Sequence, residues 1–244
     1  MADSQVLLLV HGFPLDHRMW HSQVEELADV RKVMAPDLDG HGAARDLPAA
    51  DNMDDIARQL AWHLDQAGVE AVDLGGFSMG GYICFAFWRL FPHRVRSLVL
   101  VDSKASADTD AGREGRDALA AKIREQGASA AADAMLPKMF TTAAQEHIRG
   151  VAEQIMLEQP PEALIADLMA MKGRPDSTPD LSKIDVPTLV VVGDGDEVTP
   201  PTEAEAMAAA IPKARLVTIA GAAHLSPMER SGEVNTAIND HLAG

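Results

Sequence analysis

The chain has a single cysteine, Cys84, among 244 residues. One thiol closes no intrachain disulfide and leaves no cysteine-ligated zinc site. Basic residues are also scarce: 21 Lys and Arg stand against 37 Asp and Glu, a formal net charge of −16. Nucleic acids and anionic membrane surfaces are bound by clustered Lys and Arg, so this balance argues against both as partners. No apolar stretch approaches the ~20 residues that span a bilayer. The opening Met1-Ala2-Asp3-Ser4 lacks the basic start and apolar run of a signal peptide. The expectation is a soluble, cytoplasmic protein. Apolar content, by contrast, is plentiful. With 47% hydrophobic and 24% charged residues, the composition is that of an ordinary folded chain. Its length suffices for one sizeable core, or one core carrying an insertion.

Short apolar, β-branched runs alternate with helix-like segments, the pattern of a parallel sheet covered by helices on both faces. Strands are expected over 6–10, 31–35, 71–75, 95–101, 188–192 and 215–219. Helices are expected over 19–28, 53–67, 79–91, 201–210 and 226–242. Residues 105–178 break the alternation: they carry Ala-rich helical pattern punctuated by Pro137, Pro160, Pro161 and Pro175. We read them as a helical cap inserted between the fifth and sixth candidate strands. The core is then expected over 1–104 and 179–244. Met135, Met139, Met156, Met169 and Met171 in the insertion suit either gap-filling packing or an adaptable apolar lid over a pocket.

Gly76-Phe77-Ser78-Met79-Gly80 has the Gly-x-Ser-x-Gly form. Such a turn puts a nucleophilic Ser on a sharp, strained strand-to-helix bend, where side chains at either glycine would crowd it. Five residues are few enough to recur by chance, so the context decides. An apolar strand pattern precedes the turn and an apolar helix pattern, 82–91, follows it. The N–H of Met79 then opens a helix, where free donors and the helix dipole favour developing negative charge. One such oxyanion donor contributes about 3–4 kcal/mol in acyl transfer. His11-Gly12-Phe13-Pro14 directly follows the first strand, and this loop can bring the Phe13 N–H toward the same oxygen.

Nine histidines compete as base. His224 follows the last strand in a loop of small residues, Ala220-Gly221-Ala222-Ala223, and the order Ser…Asp…His puts the base last in a fold of this kind. His11 is the competing base, but it would have to reach across the pocket to Ser78. His17 and His21 lack an evident third metal ligand and read as an exposed face. His41, His63, His93, His147 and His241 read as surface or loop residues. For the acid, the turn after strand 188–192 offers Asp194 and Asp196, and Asp102 after the preceding strand is a third candidate. Each ends a strand on the side where open α/β sheets bind ligands, and spacing does not choose among them.

With these pieces in place the chain resembles the α/β-hydrolase superfamily over nearly its whole length. The matching segments are His11-Gly12-Phe13-Pro14, Pro36-Asp37-Leu38-Asp39-Gly40-His41-Gly42, Gly76-Phe77-Ser78-Met79-Gly80-Gly81, Gly193-Asp194-Gly195-Asp196 and Gly221-Ala222-Ala223-His224. The resemblance implies an α/β-hydrolase fold with a mostly parallel sheet flanked by helices. It aligns the acid of Gly-x-x-Asp-x-x-x-Pro with Asp196, and it gives Phe13 and Met79 the oxyanion N–H groups. Two departures stand out. Asp39 occupies a place that usually carries Arg, so an ion pair common in relatives is expected to be missing. Few residues precede the first strand, so the sheet is expected to be trimmed at that edge.

Within the superfamily the chain looks similar to small carboxylesterases, 3-oxoadipate enol-lactonases and cofactor-free haloperoxidases (perhydrolases). A Ser nucleophile separates it from haloalkane dehalogenases and epoxide hydrolases, which use Asp there. The expectation is a serine carboxylesterase acting on small to medium esters through Ser78, Asp196 and His224, with no metal or organic cofactor. A small-molecule ester is its expected partner, with no nucleic acid and no membrane insertion; a homo-oligomer is compatible with this. A lactonase or carbon–carbon-bond hydrolase, or a perhydrolase side activity, would use the same site. A ligand receptor or regulatory protein on the same fold is the alternative of another class.

Overall fold

A computed structural model describes residues 5–243; Met1-Ala2-Asp3-Ser4 and Gly244 lie outside the described residues. In chain order the elements are β1 (Val6–Val10), α1 (His21–Leu27), β2 (Lys32–Met34), α2 (Met53–Gln66), β3 (Val72–Phe77), α3 (Met79–Leu90) and β4 (Val95–Val101). There follow α4 (Asp110–Gln126), α5 (Ser129–Met139), α6 (Glu146–Leu157) and α7 (Pro161–Gly173). The chain closes with β5 (Thr188–Gly193), α8 (Pro201–Ala210), β6 (Ala214–Ile219), α9 (Ser226–Glu229) and α10 (Ser231–Ala243).

The strands form one six-stranded sheet in the order β2-β1-β3-β4-β5-β6, and every described pairing is parallel. β1 shows why the apolar runs were legible. Val6, Leu8 and Val10 point into one hydrophobic cluster and Leu7 and Leu9 into a second, one on each face of the sheet. A strand with both faces buried has no polar position to alternate with. α2 reads equally simply. Asn52 caps it by accepting from the Asp55 N–H at 2.9 Å, and Asp54 and Asp55 sit in its first turn, where the helix dipole favours negative charge. Its buried positions 53, 56, 57, 60, 61 and 64 follow the helical period. No described helix is long and apolar enough to cross a membrane.

Two expectations are corrected. The helical insertion lies between the fourth and fifth strands, not between the fifth and sixth, because β1 to β4 alone precede it. The helix expected over 226–242 is two helices, broken where Arg230 adopts φ −135° and ψ 53°. There the side chains of Glu229 and Arg230 turn back to the 221–223 loop. In the insertion α4 packs on α7 and α5 on α6. Its neck is closed by the Ser177 N–H donating to Ala105 O at 2.9 Å and by a buried Arg174–Asp108 ion pair at 2.8 Å. Met139, Met156 and Met171 are buried in the clusters, while Met135 and Met169 are partly buried against them.

Candidate active site

Ser78 follows β3 without a spacer and has φ 51°, a left-handed conformation that costs a non-glycine residue energy. The turn is tight enough to dictate its glycines. A Cβ on Gly76 would lie 2.3 Å from the Gly80 backbone, and one on Gly80 would lie 2.3 Å from Val10 O. The strain is held by neighbours: the Ser78 N–H donates to Val101 O at 2.9 Å, and Ser103 Oγ donates to Ser78 O at 2.8 Å.

β5 and β6 deliver the other two groups. The turn after β5 bends back on itself, with the Val198 and Thr199 N–H groups donating to Asp196 Oδ1 at 2.8 and 2.9 Å. Asp196 Oδ2 takes the Thr199 hydroxyl at 2.7 Å and faces His224 Nδ1 at 2.8 Å. His224 Nε2 in turn lies 2.9 Å from Ser78 Oγ. Burial pushes the Asp196 carboxyl up, but the hydrogen bonds from His224 and Thr199 and the imidazole charge outweigh it and hold it below its ordinary value. An ionised Asp196 beside Nδ1 fixes that nitrogen as the N–H and leaves Nε2 as the acceptor facing Ser78. The structure thus brings Ser78, His224 and Asp196 into one chain of contacts in which Ser78 is the most exposed, at 8%.

Asp194 is elsewhere: it is exposed and accepts from the Gly221 N–H at 2.9 Å. Asp102 is also outside that chain of contacts. Its carboxylate takes the Gly193 N–H at 2.9 Å and the Ser226 hydroxyl at 2.5 Å.

Met79 is the first residue of α3, so its N–H has no carbonyl within the helix to bond. The Phe13 loop lies against the same turn, since a Cβ on Gly12 would be 2.7 Å from Phe77 O. Behind that loop sits His11, completely buried. Its Nε2 accepts from the Leu38 N–H at 3.1 Å and its Nδ1 lies 3.3 Å from Gly12 O. Burial, then the neighbouring His41, lower His11 to about 4, so it is a neutral structural group and makes no contact with Ser78.

Of the histidines read as surface or loop residues, His41 is in a loop but buried: it is 1% exposed and its Nε2 lies 3.0 Å from Asp167 Oδ2 of α7. His63, half-buried, lies with Nε2 3.0 Å from Asp39 Oδ1, so the loop that lacks the usual Arg makes a His–Asp contact there. Asp16, His17 and Asp37 are a group whose ligand atoms lie within 4.8 Å of one another. Their oxygens are engaged by Arg18, Gln159, the His17 ring and the Ala43 N–H. His21, exposed, faces Glu25 instead. Thr199, which donates its hydroxyl to Asp196, is marked in the sequence only by its place within the acid turn.

The chain matches the family model described as alpha/beta hydrolase fold over residues 5–155, and that described as TAP-like protein over 169–244. A thermophilic esterase from Thermogutta terrifontis, solved with malate bound, is 39% identical with a TM-score of 0.95, covering 98% of this chain and 89% of its own. The enol-lactonase from Burkholderia xenovorans LB400 is 25% identical with a TM-score of 0.90, covering 100% and 93%. Pimeloyl-(acyl-carrier protein) methyl ester esterase from Neisseria meningitidis serogroup B is 31% identical over 97% of this chain and 92% of that protein. The chain also spans 64% and 61% of the length of two curated relatives, dihydrolipoyllysine-residue acetyltransferase components of acetoin cleaving systems from Cupriavidus necator and Pseudomonas putida. With the sheet order, the strained serine turn and these matches in agreement, the chain belongs to the α/β-hydrolase family.

Proposed function

We propose that the chain is a serine carboxylesterase that hydrolyses small to medium carboxylic esters. The observation that carries this reading is the run from Ser78 Oγ to His224 Nε2 at 2.9 Å and from His224 Nδ1 to Asp196 Oδ2 at 2.8 Å. Ser78 Oγ attacks the ester carbonyl carbon while its proton passes to His224 Nε2. The oxyanion takes hydrogen bonds from the Met79 and Phe13 N–H groups. The imidazolium returns its proton to the leaving alkoxide, releasing the alcohol. Water then loses a proton to the same Nε2 and attacks the acyl carbon. Collapse of that second intermediate frees the carboxylic acid, and the proton goes back to Ser78 Oγ. Asp196 keeps the imidazole oriented and stabilises its charge without taking the proton. No step needs a metal or organic cofactor.

Residues 105–178 serve in this reading as a cap that sets acyl and alcohol size. Contacts to the His224 loop support it. The Leu225 N–H donates to Met139 O at 2.7 Å, and the Glu229 carboxylate takes both the Thr141 and the Ala223 N–H groups.

The test is Ser78→Ala on p-nitrophenyl butyrate. Turnover is expected to fall by about 10³-fold or more, and wild-type rates in the variant would end the proposal. A lactone substrate is the second reading, favoured by the likeness to an enol-lactonase across 100% of the chain. Lactones assayed beside linear esters of increasing acyl length separate the two.

A further inference from the structure

The reacting set proposed above stands on the ends of β3, β5 and β6. It passes over β4, the strand between β3 and β5. At the end of β4 stands Asp102, with 0% exposure and φ 46°. A carboxyl there carries two penalties, a left-handed backbone and complete burial. Its contacts show what offsets them. Oδ1 accepts from the Gly193 N–H at 2.9 Å, at the start of the Asp196 turn. Oδ2 accepts from Ser226, through Oγ at 2.5 Å and N–H at 3.3 Å, two residues beyond His224. Its chain neighbours grip the nucleophile: Val101 O takes the Ser78 N–H and Ser103 Oγ donates to Ser78 O.

Other bonds join the two outer loops to each other, through Gly195 N–H to Ala222 O and Gly221 N–H to Asp194 Oδ1, both at 2.9 Å. The β4–β5 ladder reaches Val101 opposite Val191, and the Asp102 N–H donates to Val191 O at 2.9 Å. Beyond that point the Asp102 side chain ties both outer loops to the strand that also grips the serine. We propose that Asp102 is a positioning residue, a crosspiece at the end of β4 that holds the Asp196 turn and the His224 loop in register with Ser78. It rests on the reading of Ser78, Asp196 and His224 as the reacting set.

Burial, reinforced by the charge of Asp196, raises the Asp102 carboxyl well above its ordinary value, against the opposite pull of its bonds from Ser226 and Gly193. Asn is its isosteric mimic. The amide oxygen accepts from the Gly193 N–H, the amide nitrogen donates to a Ser226 hydroxyl that has turned round, and only the 3.3 Å contact from the Ser226 N–H is given up.

The test compares Asp102→Ala, Asp102→Asn and Ser226→Ala on p-nitrophenyl butyrate, with kcat counted per site titrated by a serine-reactive phosphonate. Asp102→Ala is expected to lower kcat per titrated site by about a hundredfold, as slight misplacement of reacting groups does. KM should stay within about twofold, and Asn should restore most of the rate. A kcat per site within about threefold of wild type would leave Asp102 a folding role only and overturn the proposal. So would a rise in KM at unchanged kcat, or an Asn variant as impaired as Ala. If Asp102→Ala does not fold, Ser226→Ala decides: a fall in kcat at constant KM supports the crosspiece and an unchanged kcat refutes it. Ser78→Ala run alongside keeps the two ideas apart, because full activity there sinks the reacting set itself.

Discussion

Among the described residues two buried His–Asp pairs look alike and, in the proposed reading, do different work. His224 lies 2.8 Å from Asp196 and His41 lies 3.0 Å from Asp167, with all four side chains 2% exposed or less. What separates them is the second ring nitrogen. His224 spends Nδ1 on the carboxylate and aims Nε2 at Ser78 Oγ. His41 spends Nε2 on the carboxylate, and the other group at its ring is backbone, at Asp39, not a nucleophile. His41 therefore ties the loop behind Phe13 to α7 of the insertion and has no group to deprotonate. A His–Asp pair is a common structural device; in the proposed function the third partner, Ser78, is what turns the His224 pair to chemistry.

The comparison is broken most sharply at the first pair. His224→Ala should lower kcat by about 10⁴-fold or more, whereas Asp167→Asn should leave kcat per folded molecule within about tenfold of wild type. Equal losses in the two variants would erase the distinction. The second effect is on stability. Removing one partner of a buried ion pair leaves the other unpaired, so Asp167→Asn should cost about 3–5 kcal/mol in urea unfolding.

That cost should depend on pH with a definite sign. Burial lowers His41, but the charge and hydrogen bond of Asp167 outweigh it, so its folded value is raised. The pair's contribution is then complete below the unfolded value of ~6.5 and fades as pH rises through the raised folded value. The wild-type advantage over Asp167→Asn should accordingly be larger near about pH 6 than about pH 9, and the reverse trend would contradict it. His11, whose ring centroid is 5.2 Å from that of His41, acts oppositely. Held at about 4, it costs stability as pH falls from about 6.5. The smallest effect concerns the hydroxyl on the catalytic side. Thr199→Val removes the 2.7 Å donor to Asp196 and should reduce kcat about tenfold at unchanged KM.

The two pairs also differ in how far the sequence revealed them. Ser78 and Asp196 were legible because each follows a strand whose apolar run is buried on both faces, His224 because it follows the last strand in a loop of small residues, and the motif because the close approaches at Gly76 and Gly80 force glycine into it. The choice of Asp196 over Asp194 and Asp102 came from the resemblance. Geometry then separated the three, since only Asp196 lies on the His224 ring. The His41–Asp167 pair spans 126 positions, and no local pattern links a loop histidine to an aspartate on a helix of the insertion. The break at Arg230 was hidden for a similar reason. The helical period runs through it, and the side-chain bonds of Glu229 and Arg230 to the 221–223 loop exist only in the folded chain. The sheet followed from periodicity, whereas the ties between distant loops did not.

The central claim is that Ser78, activated by His224, attacks the acyl carbon. It is tested most directly by labelling the wild-type chain with a serine-reactive phosphonate and mapping the modified peptide by mass spectrometry. The account predicts one label per chain, on Ser78, with loss of ester hydrolysis in step with labelling and no label on His224→Ala over the same time. A label on another serine, or full hydrolysis after Ser78 is modified, would contradict it.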